Sequence, residues 1–256
     1  MTEVSKARPA STVVLLRDTA TGMEVLMLKR NKALMFAGGL WVFPGGALES
    51  TDMTAAGGDL AVAARIAAAR EAEEECGLRP DIDKMVQLSH WTTPVVEPKR
   101  FETWIFAAPI EVDSDVAIDG SEIHDFSWIG VAAAVAQHEA GELGMLPPTY
   151  ITLLSLLRYS TTAEMRAGEK EISPPYVFPV FTKAGGKMAV LFQGDVGYET
   201  GDGGMVGPQH RAIMQEKGGN MFTATSAKII HRLFAPESSL LYRHNPPPDE
   251  DISAPK

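Results

Sequence analysis

"REAEEECGL", residues 70–78, places Arg70 and the carboxylates Glu71, Glu73, Glu74 and Glu75 at the end of an alanine-rich segment. The segment reads as a helix: Asp59 is a natural N-cap, the body runs to Cys76, and Gly77 ends it. A helix C-terminus is already negative, and like charges three or four residues apart repel by about 0.2–0.5 kcal/mol per solvated pair. Glu71, Glu74 and Glu75 stand at i, i+3 and i+4 and share one face, whereas Glu73 points elsewhere. A hard divalent cation turns that repulsion into binding. Ligands that are all oxygen suit Mg2+ or Mn2+, and Arg70 is placed to orient one carboxylate by a charge-assisted pair.

Upstream lies "FPGG", residues 43–46, a glycine turn at the end of the short strand in "LWVFPGG". Paired glycines let backbone approach a ligand closely and expose a carbonyl to a metal. Strands are expected at Ser11–Arg17 and Glu24–Lys29, joined by the turn "DTATG". A polar, Gly-containing stretch from Glu49 to Gly58 reads as a loop, acting as a mobile lid or rim outside the catalytic frame. Further strands are expected near Met85–Leu88, Phe101–Ala107 and Asp125–Trp128. Helices are expected at Val131–Glu139 and in "MLPPTYITLLSLLRY", where proline sits at the helix start. From Ser173 the pattern changes to short strands with glycine turns, at Tyr176–Phe181, Met188–Phe192 and near Ile229. No internal repeat is present.

The bulk numbers narrow the function classes. The 256 residues carry a formal net charge of −10, which argues against binding a nucleic-acid polymer, since that needs a basic face. Small anionic substrates remain open, because a bound divalent metal reverses the local field. Cys76 is the only cysteine, so an internal disulfide and a cysteine-based zinc site are both excluded, and in its slot it reads as inert. No apolar run approaches the roughly 20 residues of a membrane span, and none near the N-terminus suits a signal peptide; a cytoplasmic protein is expected.

The glycine turn and the acidic register together resemble the Nudix hydrolases, whose box runs G-x5-E-x7-R-E-U-x-E-E-x-G-U, with U bulky and aliphatic. Gly46 opens it, and Arg70, Glu71, Glu74, Glu75, Gly77 and Leu78 close it. The first half departs. Asp52 stands where the glutamate is expected, Arg70 comes ten residues late, and Ala72 is small for its slot. An insertion between turn and helix accounts for this and leaves open whether Glu49 or Asp52 replaces the box glutamate. The resemblance implies an α/β fold, a Nudix-type α/β/α sandwich with a mixed β-sheet and a C-terminal α+β extension. It implies that Glu71, Glu74, Glu75 and the Gly46 carbonyl hold Mg2+ or Mn2+, with Glu122 in "GSEIHDFSW" as a further carboxylate. It implies that Glu71, Glu74, Glu75 and Arg70 form the catalytic set, with one of these carboxylates, or one from a later loop, deprotonating the attacking water and Arg70 supporting the cluster. The reaction implied is hydrolysis of a diphosphate linked to a nucleoside.

"LMLKRNKALMFAGGLWVFPGG" is similar in spacing to the motif preceding the box in coenzyme A diphosphatases, with Arg30, Gly39 and Phe43 in register. Leu28, Asn31 and Met35 replace its Thr, Ser and second Arg. The box insertion, "TTPVVEPKRFET" and "MLPPT" resemble the peroxisomal-type branch and its bacterial relatives, although the terminal Lys256 gives no peroxisomal signal. Pro94, sixteen residues past Leu78, resembles instead the proline of ADP-ribose pyrophosphatases. Arg30, Lys99 and Arg100 are candidate phosphate contacts. The expected organisation is a core over residues 8–145, an extension packed on it over 146–243, and a disordered tail over 244–256. The expected partner is a small nucleotide, with no membrane and with a homodimer left open. Coenzyme A or acyl-coenzyme A is the first substrate choice, cleaved to 3′,5′-ADP and a phosphopantetheine. ADP-ribose or a dinucleotide comes second, and a catalytically idle nucleotide-sensing module is the alternative of another class.

Overall fold

Val13, Val14, Leu15 and Leu16 are all fully buried, which a strand allows only where both faces of its sheet are covered. They lie in β1 (Arg8–Thr19) of a computed structural model that describes residues 5–34, 37–95, 97, 99–118, 120–215 and 221–224. β1 pairs antiparallel with β2 (Gly22–Arg30) and parallel with β6 (Phe101–Pro109). The sheet runs in the order β3 (Trp41–Val42), β2, β1, β6, β5 (Val86–Thr92), β8 (Tyr176–Val177). β4 (Gly45–Ala47) pairs with β1, and β7 (Ile123–Gly130) with β2.

Alternation along the central strands sends one set of side chains to each face. Val13, Leu15, Leu26 and Leu28 pack with Ala64, Ala68, Ala72 and Cys76 of α2 (Leu60–Cys76). Alanines on that face let the helix sit close to the sheet, so a small Ala72 is what this packing requires. Val14, Leu16, Val25 and Met27 pack on the other side with α3 (Val131–Ala140) and α4 (Pro147–Leu156), through Ala134, Val135, Ile151 and Leu153. The result is an α/β/α sandwich with a mixed sheet, as expected from the sequence.

Residues beyond 145 share this core. α4 and Met165 of α5 (Thr162–Lys170) belong to the same apolar cluster as β1, and so do Val190, Phe192 and Ala212. A second antiparallel sheet has the order β12 (Met221–Ala224), β11 (Arg211–Gln215), β10 (Lys187–Leu191), β9 (Val180–Ala184).

Three expectations need correction. The single strand expected over Tyr176–Phe181 is split into β8 and β9, because Pro179 has no N–H for a ladder. α5 was not anticipated, although Thr161 caps it by accepting from the Glu164 N–H at 3.1 Å. The Glu49–Gly58 stretch is not a plain loop: it contains α1 (Ser50–Ala55), closed by the Glu49 N–H donating to Asp52 Oδ2 at 2.8 Å. No helix among the described residues is long and apolar enough to cross a membrane. The strand expected near Ile229 and the tail over 244–256 lie outside the described residues.

Candidate active site

α2 begins where expected, with Asp59 Oδ1 accepting from the N–H groups of Ala61 and Val62. It ends at Gly77, whose φ of 73° suits glycine and whose N–H donates to the Glu73 carbonyl at 3.0 Å. The last two turns carry the acids, and Arg70 ties them together. Its Nη1 donates to Glu71 Oε1 at 2.9 Å and to Glu74 Oε2 at 3.1 Å. Its Nε and Nη2 donate to Asp52 Oδ1 at 3.2 Å and Oδ2 at 3.0 Å, and Nη2 also reaches the Ala47 carbonyl at 3.2 Å. Asp52, not Glu49, is therefore the acid that pairs with Arg70. The hydrogen bonds that Arg70 donates to Asp52 raise the Arg70 pKa above its ordinary value. Burial works against the Asp52 carboxylate, but hydrogen bonds from Arg70 and the Glu49 backbone outweigh it and hold that carboxyl below the usual range.

The glycines of FPGG, expected as a turn, instead form strand β4 with Ala47, and β4 meets the helix from the other side. Glu75 is buried, and its Oε2 accepts from the Gly45 N–H at 3.0 Å. Burial pushes the Glu75 carboxyl up to about 8; the Gly45 N–H and the Arg30 charge oppose this, while Glu71 and Glu122 reinforce it. Burial also raises Glu71, with Arg70 opposing. A Cβ on Gly46 would fall 2.4 Å from Glu71 Oε1, so only glycine lets the backbone lie against that carboxylate.

These groups open onto a cleft of about 560 Å3, lined among others by Arg30, Gly46, Glu71, Glu74, Glu75, Lys99 and Glu122. The size suits a small-molecule ligand. Arg30 Nη2 pairs with Glu122 Oε2 at 3.1 Å, and Arg30 Nε is buried with no hydrogen-bond partner among the described residues. Arg70 lies behind the carboxylates rather than on the lining. Arg100 departs from expectation. Its side chain is buried and donates to the Thr93 and Ser5 carbonyls, at 3.0 and 2.8 Å, so it anchors backbone instead of facing the cleft. Glu73 is exposed and pairs with Arg79. Cys76 is buried, donates to the Ala72 carbonyl and is pushed up to about 11 by burial, which makes it a poor nucleophile. Arg8, which no sequence motif marks, lines the same cleft.

Among the described residues, no three acidic, histidine or cysteine side chains already close on a common metal position. Arg70 holds Glu71 and Glu74 from one side, and Gly45 holds Glu75. The donor chemistry nonetheless suits a hard divalent cation. Every candidate donor is oxygen, and Glu75 is a buried carboxyl that a nearby cation would bring back to its ionised form. The β4 glycines bring backbone against Glu71.

The NUDIX domain family model matches residues 6–150. A Caenorhabditis elegans protein provisionally named nudix hydrolase 7 is 27% identical over an alignment of 187 positions, and the match covers 59% of this chain and 61% of that protein. The chain thus spans about three fifths of that relative's length. The crystal structure of a NUDIX hydrolase from Alicyclobacillus acidocaldarius superposes with a TM-score of 0.61 at 22% identity, covering 64% of this chain and 97% of that one. The likeness is one of fold.

Proposed function

The chain belongs to the NUDIX domain family, and from that premise we propose that it is a metal-dependent hydrolase of a nucleoside diphosphate linked to another moiety. Coenzyme A or an acyl-coenzyme A is the substrate of first choice, giving 3′,5′-ADP and a phosphopantetheine. The observation that carries the reaction class is the Arg70 clamp. One guanidinium gathers Asp52, Glu71 and Glu74 behind the cleft, while β4 engages Glu71 and Glu75. A catalytically idle sensing module would not need this arrangement of like charges.

Glu71, Glu74, Glu75 and the Gly46 carbonyl would hold the Mg2+ or Mn2+. A cation bound there supplies charge neutralisation for the diphosphate and an acidified water. The chain's own groups do the rest. Arg70 fixes the carboxylate rotamers through Nη1, so that little ordering is left for the moment of reaction. One carboxylate of this cluster, ionised beside a bound cation, would accept the proton of the attacking water. Arg30, held against Glu122 at the cleft wall, is placed to meet a substrate phosphate.

The first choice within this class rests on the Arg30, Gly39 and FPGG register. A panel with Mg2+ and Mn2+ over coenzyme A, acyl-coenzyme A, ADP-ribose, NADH, diadenosine polyphosphates and nucleoside triphosphates tests it. A coenzyme A compound is expected to give the highest kcat/KM. ADP-ribose turning over about tenfold more efficiently than every coenzyme A compound, a difference of about 1.4 kcal/mol, would replace it with the second choice.

A further inference from the structure

The cations around the cleft fall into two groups. Arg70 is engaged by Asp52, Glu71 and Glu74, and Arg30 by Glu122. Arg8 and Lys99 also line the cleft, yet neither side chain makes an ion pair or hydrogen bond among the described residues. Lys99 Nζ lies 5.4 Å from the centroid of the Phe101 ring. In a chain with 33 acidic and 23 basic residues, two unpaired cations on one cleft wall are a local reversal of charge.

Strand pairing fixes where they stand. Arg8 on β1 is opposite Phe101 on β6, and Ala10 is opposite Thr103. Ser11 is opposite Gly46 on the other flank of β1. Arg8 is therefore three residues, roughly 10 Å along the strand, from the level of Gly46 and the carboxylates. Arg100 holds this end in place, because its guanidinium spans the carbonyls of Ser5 and Thr93 and its own carbonyl accepts the Arg8 N–H at 3.0 Å. The cleft thus has a carboxylate end and a cationic end, where Lys99 lies over the Phe101 ring and Arg8 stands opposite Phe101 in the strand register.

We propose that Arg8 and Lys99, flanking Phe101, form a second anion subsite that selects substrates bearing a phosphate on the nucleoside in addition to the scissile diphosphate. The proposal rests on the hydrolase reading and deepens it. With the diphosphate at the carboxylate end, the nucleoside extends along the cleft toward Phe101, which lines it. An extra phosphomonoester then meets Arg8 and Lys99. Coenzyme A carries such a group on its ribose; ADP-ribose and diadenosine polyphosphates do not.

Titration calorimetry of the full chain with Mg2+ tests the subsite without turnover, comparing adenosine 3′,5′-bisphosphate with 5′-AMP at one fixed low ionic strength, where exposed charges are least screened. The wild type is expected to bind the bisphosphate about tenfold tighter or more, the worth of a charged hydrogen bond. Arg8→Gln and Lys99→Gln should each cut that preference to about threefold or less, and Arg8→Lys should restore part of it. A wild-type preference that survives both Gln variants would overturn the subsite while leaving coenzyme A as the substrate of choice. Equal or undetectable binding of the two ligands by wild type would overturn the subsite, and coenzyme A turnover on the same sample then decides the hydrolase reading separately.

Discussion

Asp52 and Arg70, eighteen positions apart, are joined by two hydrogen bonds of 3.2 and 3.0 Å, and the acid is 2% exposed. The pairing carries the inserted segment into the frame of the site. Asp52→Asn should therefore cost on the order of 2–3 kcal/mol of stability. That is less than for a stranded charge, because Glu71, Glu74 and the Ala47 carbonyl still hold the guanidinium. Urea unfolding of the variant checks this, and a loss under about 0.5 kcal/mol, the scale of an ordinary surface substitution, would mean the pair is dispensable.

The same contact reverses an expectation about the insertion. Removing residues 50–59 to restore the usual box spacing deletes α1 and Asp52 with it, and also the Asp59 cap of α2. Circular dichroism and thermal melts of the shortened chain should show a marked loss of stability. Native-like melting would return the segment to the status of a rim loop.

Glu74→Gln and Glu75→Gln should each lower kcat on the order of 10²-fold or more, since Gln keeps size and removes charge. Glu73→Gln should do little, because Glu73 is exposed and pairs with Arg79. Steady-state kinetics on one preferred substrate compares the three; a Glu73 effect as large as the others would show that charge at the helix end, rather than position, matters.

The raised Glu75 carboxyl makes a signed prediction for the metal-free protein. Its folded pKa, about 8, lies above the ordinary value of 4.5, so the folded chain holds a proton that the unfolded chain releases. That contribution is full below about pH 4.5 and lost as pH rises through about 8. Glu71, also raised, acts in the same direction, whereas Asp52 and Asp195 are lowered and act at acid pH. Denaturation in chelator at pH 5, 7 and 9 should show stability falling across the series, and Glu75→Gln should flatten the fall. Metal affinity should rise over the same window as the carboxyl gives up its proton. A slope unchanged by the substitution would assign it to other groups.

Beside the second sheet, Asp195 in the segment after β10 accepts from Arg211 Nε and Nη2 of β11 at 2.7 and 2.6 Å, and both side chains are buried. Arg211→Met should destabilise by about 3–5 kcal/mol by leaving a buried carboxylate without its cation, and adding Asp195→Asn should recover part of that. Equal melting of the single and double variants would show no coupling between them.

What was legible in the sequence is what is local. Asp59, Gly77 and the i, i+3, i+4 register of Glu71, Glu74 and Glu75 lie within one helix, so spacing alone sets their common face. The FPGG stretch announces the close approach of Gly46 to Glu71, but not that its glycines form the strand β4 instead of a turn. What was not legible depends on residues meeting across the fold. Nothing near Asp52 announces Arg70, and nothing near Arg100 announces the Ser5 carbonyl, which lies 95 positions away. Arg8 joins the cleft only because β1 and β6 run parallel, a pairing that no local pattern encodes. The α5 helix had a usable signal in Thr161 followed by Glu164, obscured by Gly168 and the charges around it.

The most direct test measures release of 3′,5′-ADP from coenzyme A by wild type and by Glu75→Gln, each with Mg2+ and with excess chelator. The account predicts product from wild type with Mg2+, none above background in chelator, and a loss on the order of 10²-fold for the variant. Equal rates with metal and chelator, or equal rates for wild type and Glu75→Gln, would contradict it.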